Sequence, residues 1–263
     1  MDIASVIGVV LGLIAVGVGM VLKGVDTTVL INPAAILIII LGTIASVTIA
    51  FPMSELKRVP KLFKILFTNP KMTNPAQLIV LFSDLAQLAR KEGLLALEAR
   101  IHDIKDPFLI NGLTLAVDGQ SADYIRDVLS EEIEAMEERH RAGAQIFTQA
   151  GTYAPTLGVL GAVIGLIAAL GDMSDTVTLG QAISAAFVAT LMGIFTGYVL
   201  WHPFANKLKQ KSRIEAQYKY MMIEGILSIL EGEAPRIIEQ KLASYLPTSE
   251  RKRILEGSVN NNE

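Results

Sequence analysis

Two polar constellations in this chain have residue types that could do chemistry, and each is incomplete. The first consists of hydroxyls on apolar runs: Thr152, Tyr153 and Thr156 on one, and Ser184, Thr190, Thr196 and Tyr198 on another. A hydroxyl lends lone pairs to a cation or hydrogen-bonds a carboxyl group, and most can satisfy themselves on the carbonyl four residues back. Thr190 follows Ala189 on a run where Ala185, Ala189, Gly193 and Gly197 recur every four residues, and it is the hydroxyl best placed to touch an ion or a partner's carboxylate. Pro155 removes a backbone donor inside a helical pattern and frees a carbonyl, which makes either a plain kink or a hinge. The second constellation is charged. Arg90 and Glu98 flank a helix–turn–helix, and Glu131, Glu132, Glu134, Glu137 and Glu138 form an acidic run whose bland reading is a solvated face. No nucleophile–base pair, glycine-rich phosphate loop or metal cluster accompanies them. His102, His140 and His202 are far apart, and the chain has no cysteine. The sequence therefore offers no catalytic residue, no metal ligand set and no cofactor, and it gives an enzyme reading no support.

The elements that must carry these groups are membrane helices. A helix needs ~20 apolar residues to cross the ~30 Å hydrocarbon core. Ile3–Leu22, Pro33–Phe51, Thr152–Leu170 and Gln181–Trp201 come close to that length, and none contains Asp, Glu, Lys or Arg. With 51% apolar residues and a mean hydropathy of +0.46, the chain is too apolar for an ordinary globular protein. A self-contained ion carrier keeps a costly ionisable group at bilayer depth, and its absence predicts that the function needs a partner. The net charge of -3 gives no reason to expect nucleic acid. Ile3–Leu22 lacks a basic leader and a small-residue cleavage site, so it reads as a retained span.

Lys57, Arg58, Lys61, Lys64 and Lys71 follow the second run, and Lys207, Lys209, Lys211 and Arg213 follow the fourth. The loops Gly24–Asn32 and Gly171–Gly180 carry almost no basic charge, so the positive-inside rule puts both termini and the central block in the cytoplasm. The central block reads as helices. Asn74-Pro75 and Asp106-Pro107 open two of them, Gly93 and Asp118-Gly119 close two, and Ser121 caps a pattern running unbroken to Leu170. The fourth run likewise continues past Pro203, and Pro235 opens a last short helix. The expected architecture is an all-α integral membrane protein with a two-plus-two arrangement of spans. Residues 1–52 hold the first two spans, 53–151 a cytoplasmic helical domain, 152–203 the second two, 204–247 C-terminal helices and 248–263 a flexible tail.

The segments LARKEGLLALE, LAVDGQSADYIRDVLSEEIEAMEERHRAGAQIFTQAGTYAPTLGVLGAVIGLIAAL and ISAAFVATLMGIFTGYVLWHPFANKL closely resemble the flagellar-motor stator A-subunit family (MotA/PomA). The likeness covers nearly the whole chain. It implies a cytoplasmic-membrane complex of five copies around a dimer of B subunits of the MotB type. Each B subunit supplies an essential Asp, and ion flow past it turns the ring against the rotor protein FliG. By matching position, the resemblance implies that Arg90, Glu98 and Glu132 face the rotor. It assigns conformational coupling to Pro155 and Pro203, and puts Thr190 near the partner's Asp. Ala162, Ala189, Thr156 and Tyr153 join Pro155 and Thr190 in the expected ion pathway and B-subunit interface.

Sodium-driven relatives tend to carry Thr where this chain has Ala162 and Ala189. Fewer hydroxyl ligands suit a proton better, so the transported ion is expected to be H⁺, with a sodium-driven stator of the PomA/MotP type as the alternative. Energisers of the ExbB/TolQ type have three spans with the large cytoplasmic segment after the first, a pattern this chain does not follow. Membrane lipid is the remaining expected partner.

Overall fold

In the computed structural model, which describes residues 2–68, 74–171 and 176–251, every regular element is helical. Contacts divide the chain into two compact units, residues 1–70 with 139–211 and residues 71–138 with 212–263. These units cut across the span and cytoplasmic segments expected from sequence, because packing extends beyond the stretches long enough to sit in a bilayer. Residues 172–175, with the two acids of the second loop, fall outside the described residues. So do Lys71 and residues 252–263 of the expected tail.

The first unit contains α1 (Ile3–Leu22) and α2 (Pro33–Ala50), followed by two short helices, α3 (Met53–Leu56) and α4 (Val59–Phe67). Asp2 and Asn32 cap the first two through backbone N–H groups at 3.3 and 3.1 Å, and Pro33 supplies the preset φ of a first turn. α4 alternates apolar Val59, Leu62, Phe63, Leu66 and Phe67 with Lys61 and Lys64, so one face is apolar and the other basic. The longer helices α8 (Ala122–Leu170) and α9 (Thr176–Leu230) lend the unit the parts with the third and fourth spans. All four span candidates have the length and composition to cross a membrane.

Two stretches leave the α register. Leu37–Leu41 in α2 and Thr196–Trp201 in α9 are π turns. The second has a local cause. Pro203 has no N–H, so the Val199 carbonyl four residues earlier loses its α-type donor. The wider turn absorbs this, and Thr196 donates its hydroxyl to the carbonyls of Met192 and Gly193 at 2.9 and 3.1 Å. Pro203 therefore marks a change of register, and the helix carries on to Leu230.

The second unit holds α5 (Pro75–Glu92), a 3₁₀ turn (Leu94–Ala96), α6 (Leu97–Ile101), α7 (Pro107–Val117) and α10 (Pro235–Ala243). They pack with the remaining parts of α8 and α9. The start signals behave as expected: Asn74 accepts from the Ala76 N–H, Asp106 from those of Phe108 and Leu109, and Ser121 from that of Tyr124. Phe82, Leu109, Leu113, Leu129, Ile226 and Leu242 centre its apolar core. Glu233 accepts from Lys241 at 2.6 Å. The hydrogen bond from Lys241 outweighs partial burial and holds the Glu233 carboxyl low, while the same contact raises Lys241.

Candidate functional site

The third and fourth spans meet along a seam where backbones nearly touch. A Cβ built on Gly158 would lie 2.8 Å from the Ala189 carbonyl oxygen, and one on Gly193 would lie 2.8 Å from that of Ala154. A Cβ on Gly197 would meet Pro155 Cγ at 2.7 Å and the Gly151 carbonyl oxygen at 2.8 Å. The small residues that recur every four positions thus let two apolar helices approach closely, as close packing in a bilayer requires. Gly165 is different, since nothing lies near a Cβ there.

The seam separates the expected ion-pathway residues into two groups. Ala189 is buried with Ala35, Ile39 and Ala154, and Ala162 is almost as enclosed. Tyr153 is half-buried and packs against the cluster of Val47, Ile146 and Ala150. Thr156, by contrast, is exposed and donates to its own Tyr153 carbonyl at 2.7 Å. Thr190 stands one position past Ala189, rotated about 100° off the seam, and is half-buried. It donates to the Ala186 carbonyl at 3.2 Å. Both hydroxyls have spent their proton on the backbone and keep lone pairs for an incoming donor or cation. Neither titrates, and the spans around them hold no carboxylate or ammonium. Such hydroxyls can hold a donor or a cation but do not themselves take up and release a proton near neutral pH.

The rotor-facing charges expected from the resemblance lie in the second unit. Arg90 ends α5 and Glu98 begins α6, with the sharp turn at Gly93 (φ +87°) between them. A positive φ of this size is one that a side chain strains to adopt. Leu97 is fully buried and anchors the turn, whereas Arg90 and Glu98 point to solvent and make no ion pair among the described residues. Glu132 is placed otherwise. It accepts from Asn111 at 3.4 Å and faces the Lys219 ammonium at 3.8 Å, so it ties α7 and α9 to α8.

Sequence reasoning passed over a charged knot in the first unit. Asp2 is 6% exposed, with its carboxylate 2.9 Å from Lys207 and 3.0 Å from Lys211. Lys211 also donates to the carbonyls of Ile65, Leu66 and Thr68, which the end of α4 leaves open. Burial pushes the Asp2 carboxyl up, but hydrogen bonds from Lys207, Lys211 and the Ser5 N–H and the charge of Lys211 outweigh it. The group stays well below the usual carboxylate range. The available signal was the i, i+4 spacing of Lys207 and Lys211 together with an acid just ahead of the first span.

Fold and site together define a polytopic helical membrane protein whose spans carry hydroxyls but no carboxylate or ammonium. Residues 100–221 match the MotA/TolQ/ExbB proton channel family, and residues 6–93 match the motility protein A N-terminal family. Motility protein A of Bacillus subtilis is 65% identical over 100% of this chain and 98% of its own length. The structure of the flagellar MotAB stator complex from B. subtilis superposes with a TM-score of 0.92 at 66% identity, covering 96% of this chain and 99% of that one. The structure of Campylobacter jejuni MotAB does so with a TM-score of 0.90 at 32% identity, covering 94% and 97%. The chain belongs to the motility protein A family.

Proposed function

We propose that this chain is the A-type subunit of a flagellar-motor stator, a multi-pass protein of the cytoplasmic membrane that forms an ion channel with a MotB-type partner. The observation that carries the reading is the pair of apolar spans that hold no Asp, Glu, Lys or Arg and whose hydroxyls at Thr156 and Thr190 donate to their own backbone and keep lone pairs open. The partner supplies the carboxylate. Five copies surround a B-subunit dimer, both termini are cytoplasmic, and ion passage past the partner's Asp turns the ring. Arg90 and Glu98 then press on the rotor protein FliG. The ion is the proton, since methyl groups stand at Ala162 and Ala189 where sodium-driven relatives tend to carry threonine.

Expression with a MotB-type partner in a cell lacking its own stators tests both parts. Restored swimming whose speed follows the proton-motive force and ignores external Na⁺ is expected. No restoration with any B-type partner overturns the stator reading. Speed that tracks Na⁺ at constant proton-motive force overturns only the choice of ion.

A further inference from the structure

The first unit carries an open apolar groove that the ion path does not use. Its volume is about 410 Å³, and Val47, Leu56, Phe63, Ile146, Ala150 and Trp201 are among the residues of its wall. Two hydroxyls also line it, but Thr43 donates to the Ile39 carbonyl and Thr48 to that of Ile44, so neither is free to donate to an occupant. Such a lining favours a hydrocarbon chain over a polar solute. The groove sits where the second span ends and α3 and α4 begin. Those short helices and the link between them expose Lys57, Arg58, Lys61 and Lys64, and the sole acid there, Glu55, is paired with Arg58 at 3.2 Å.

An amphipathic helix with lysines on its polar face, beside a tryptophan at the end of an apolar span, has the features of a membrane-interface element. Exposed basic residues on the stretch of chain that supplies Leu56, Val59 and Phe63 to the groove call for an anionic occupant. The other described carboxylates of this unit do not meet that need in a second copy: Asp2 is held by Lys207 and Lys211, and Asp26 caps the turn beyond the other end of α1. We infer that the groove is a binding site for an anionic phospholipid, with one acyl chain against Val47, Ala150 and Trp201 and the headgroup phosphate held by Lys57 and Lys61.

Trp201 is the only tryptophan in the chain, which makes the groove directly readable. The full chain with its B-type partner is reconstituted in bilayers of phosphatidylcholine and phosphatidylglycerol. Either lipid carries bromine on its acyl chains, and the signal is the fluorescence lost relative to a Trp201→Phe complex. Brominated phosphatidylglycerol should reach half-quenching at about a fivefold lower mole fraction than brominated phosphatidylcholine. Lys57→Ser with Lys61→Ser should erase that preference while leaving quenching by phosphatidylcholine unchanged. Thr48→Phe, at an exposed position of the wall, should weaken quenching by both lipids. Equal quenching by the two lipids in the unaltered chain overturns the anionic selectivity. No quenching by either means that protein, such as a second copy, covers the groove, and overturns the proposal.

Discussion

Pro155 lies against Gly197 so closely that a Cβ on that glycine would stand 2.7 Å from the proline ring. The carbonyl that Pro155 deprives of its helical donor is that of Gly151, and it faces the same glycine. On the fourth span this contact opens the π turn that leads to Pro203. Two interruptions of regular helix, one per span, are therefore stacked on each other.

Pro155→Ala restores the missing donor and should relieve up to ~3 kcal/mol of helix cost. Insertion and assembly with the B-type partner should persist, with thermal stability unchanged or higher. If the third span flexes at Pro155, torque should be lost. Tethered-cell rotation beside a melting curve of the purified complex separates the two readings. Unaltered torque would remove Pro155 from the mechanism, and loss of assembly would make it a packing residue.

The seam makes a sharper comparison. Gly193→Ala puts a methyl 2.8 Å from the Ala154 carbonyl oxygen and 2.9 Å from Gly158 Cα, and backbone on both sides cannot step aside as a side chain would. Overpacking of this kind costs about 1–3 kcal/mol, so the purified complex should melt at a lower temperature. Gly165→Ala, with open space around it, should leave the melting temperature alone. Equal effects from the two substitutions would contradict the seam.

How far the sequence could be read depends on the length over which each interaction acts. Local chemistry was visible: the caps at Asn74 and Asp106, the reversal at Gly93 and the single helix across Ala122–Leu170 all follow from neighbours a few residues apart. Recurrence of small residues every four positions also announced a close-packed face. It did not say what that face would meet, nor how open the next position would be: the fold buries Ala189 and leaves Thr190 half-open. Contacts across long stretches of chain were out of reach. Asp2 reads as one acid before a span until Lys207 and Lys211 are folded against it, and Glu132 reads as one of a run until Asn111 and Lys219 claim it.

That difference among acids yields a prediction for the charged turn. Arg90→Glu and Glu98→Lys change exposed side chains without ion pairs among the described residues, so stability should shift by no more than about 0.5 kcal/mol. Motility should fall with assembly intact, and the paired reversal should recover part of it if a charged rotor surface is the partner. Glu132→Gln removes the carboxylate facing Lys219, a partly exposed pair worth about 0.5–1 kcal/mol, and should act mainly through stability. Soft-agar spreading alongside melting curves distinguishes a lost contact from a loosened fold.

Asp2→Asn tests the knot that sequence did not reveal. Asparagine keeps the capping acceptor for the Ser5 N–H but takes the counter-charge from Lys207 and Lys211, whose side chains are 32% and 12% exposed. Breaking a fully buried pair costs roughly 3–5 kcal/mol. Lys207 can turn to water and Lys211 keeps its carbonyl partners on α4, so about 2 kcal/mol is expected, or roughly 4–8 °C in melting temperature. The pH dependence has a definite sign. The folded carboxyl titrates below its ordinary value, so the unfolded chain binds this proton first as pH falls, and the contribution is present above about pH 4 and drains away below it. The gap between the unaltered chain and Asp2→Asn should therefore stay constant from neutrality to about pH 5 and then close on further acidification. A gap that widened in acid would mean that Asp2 is not held ionised by the two lysines.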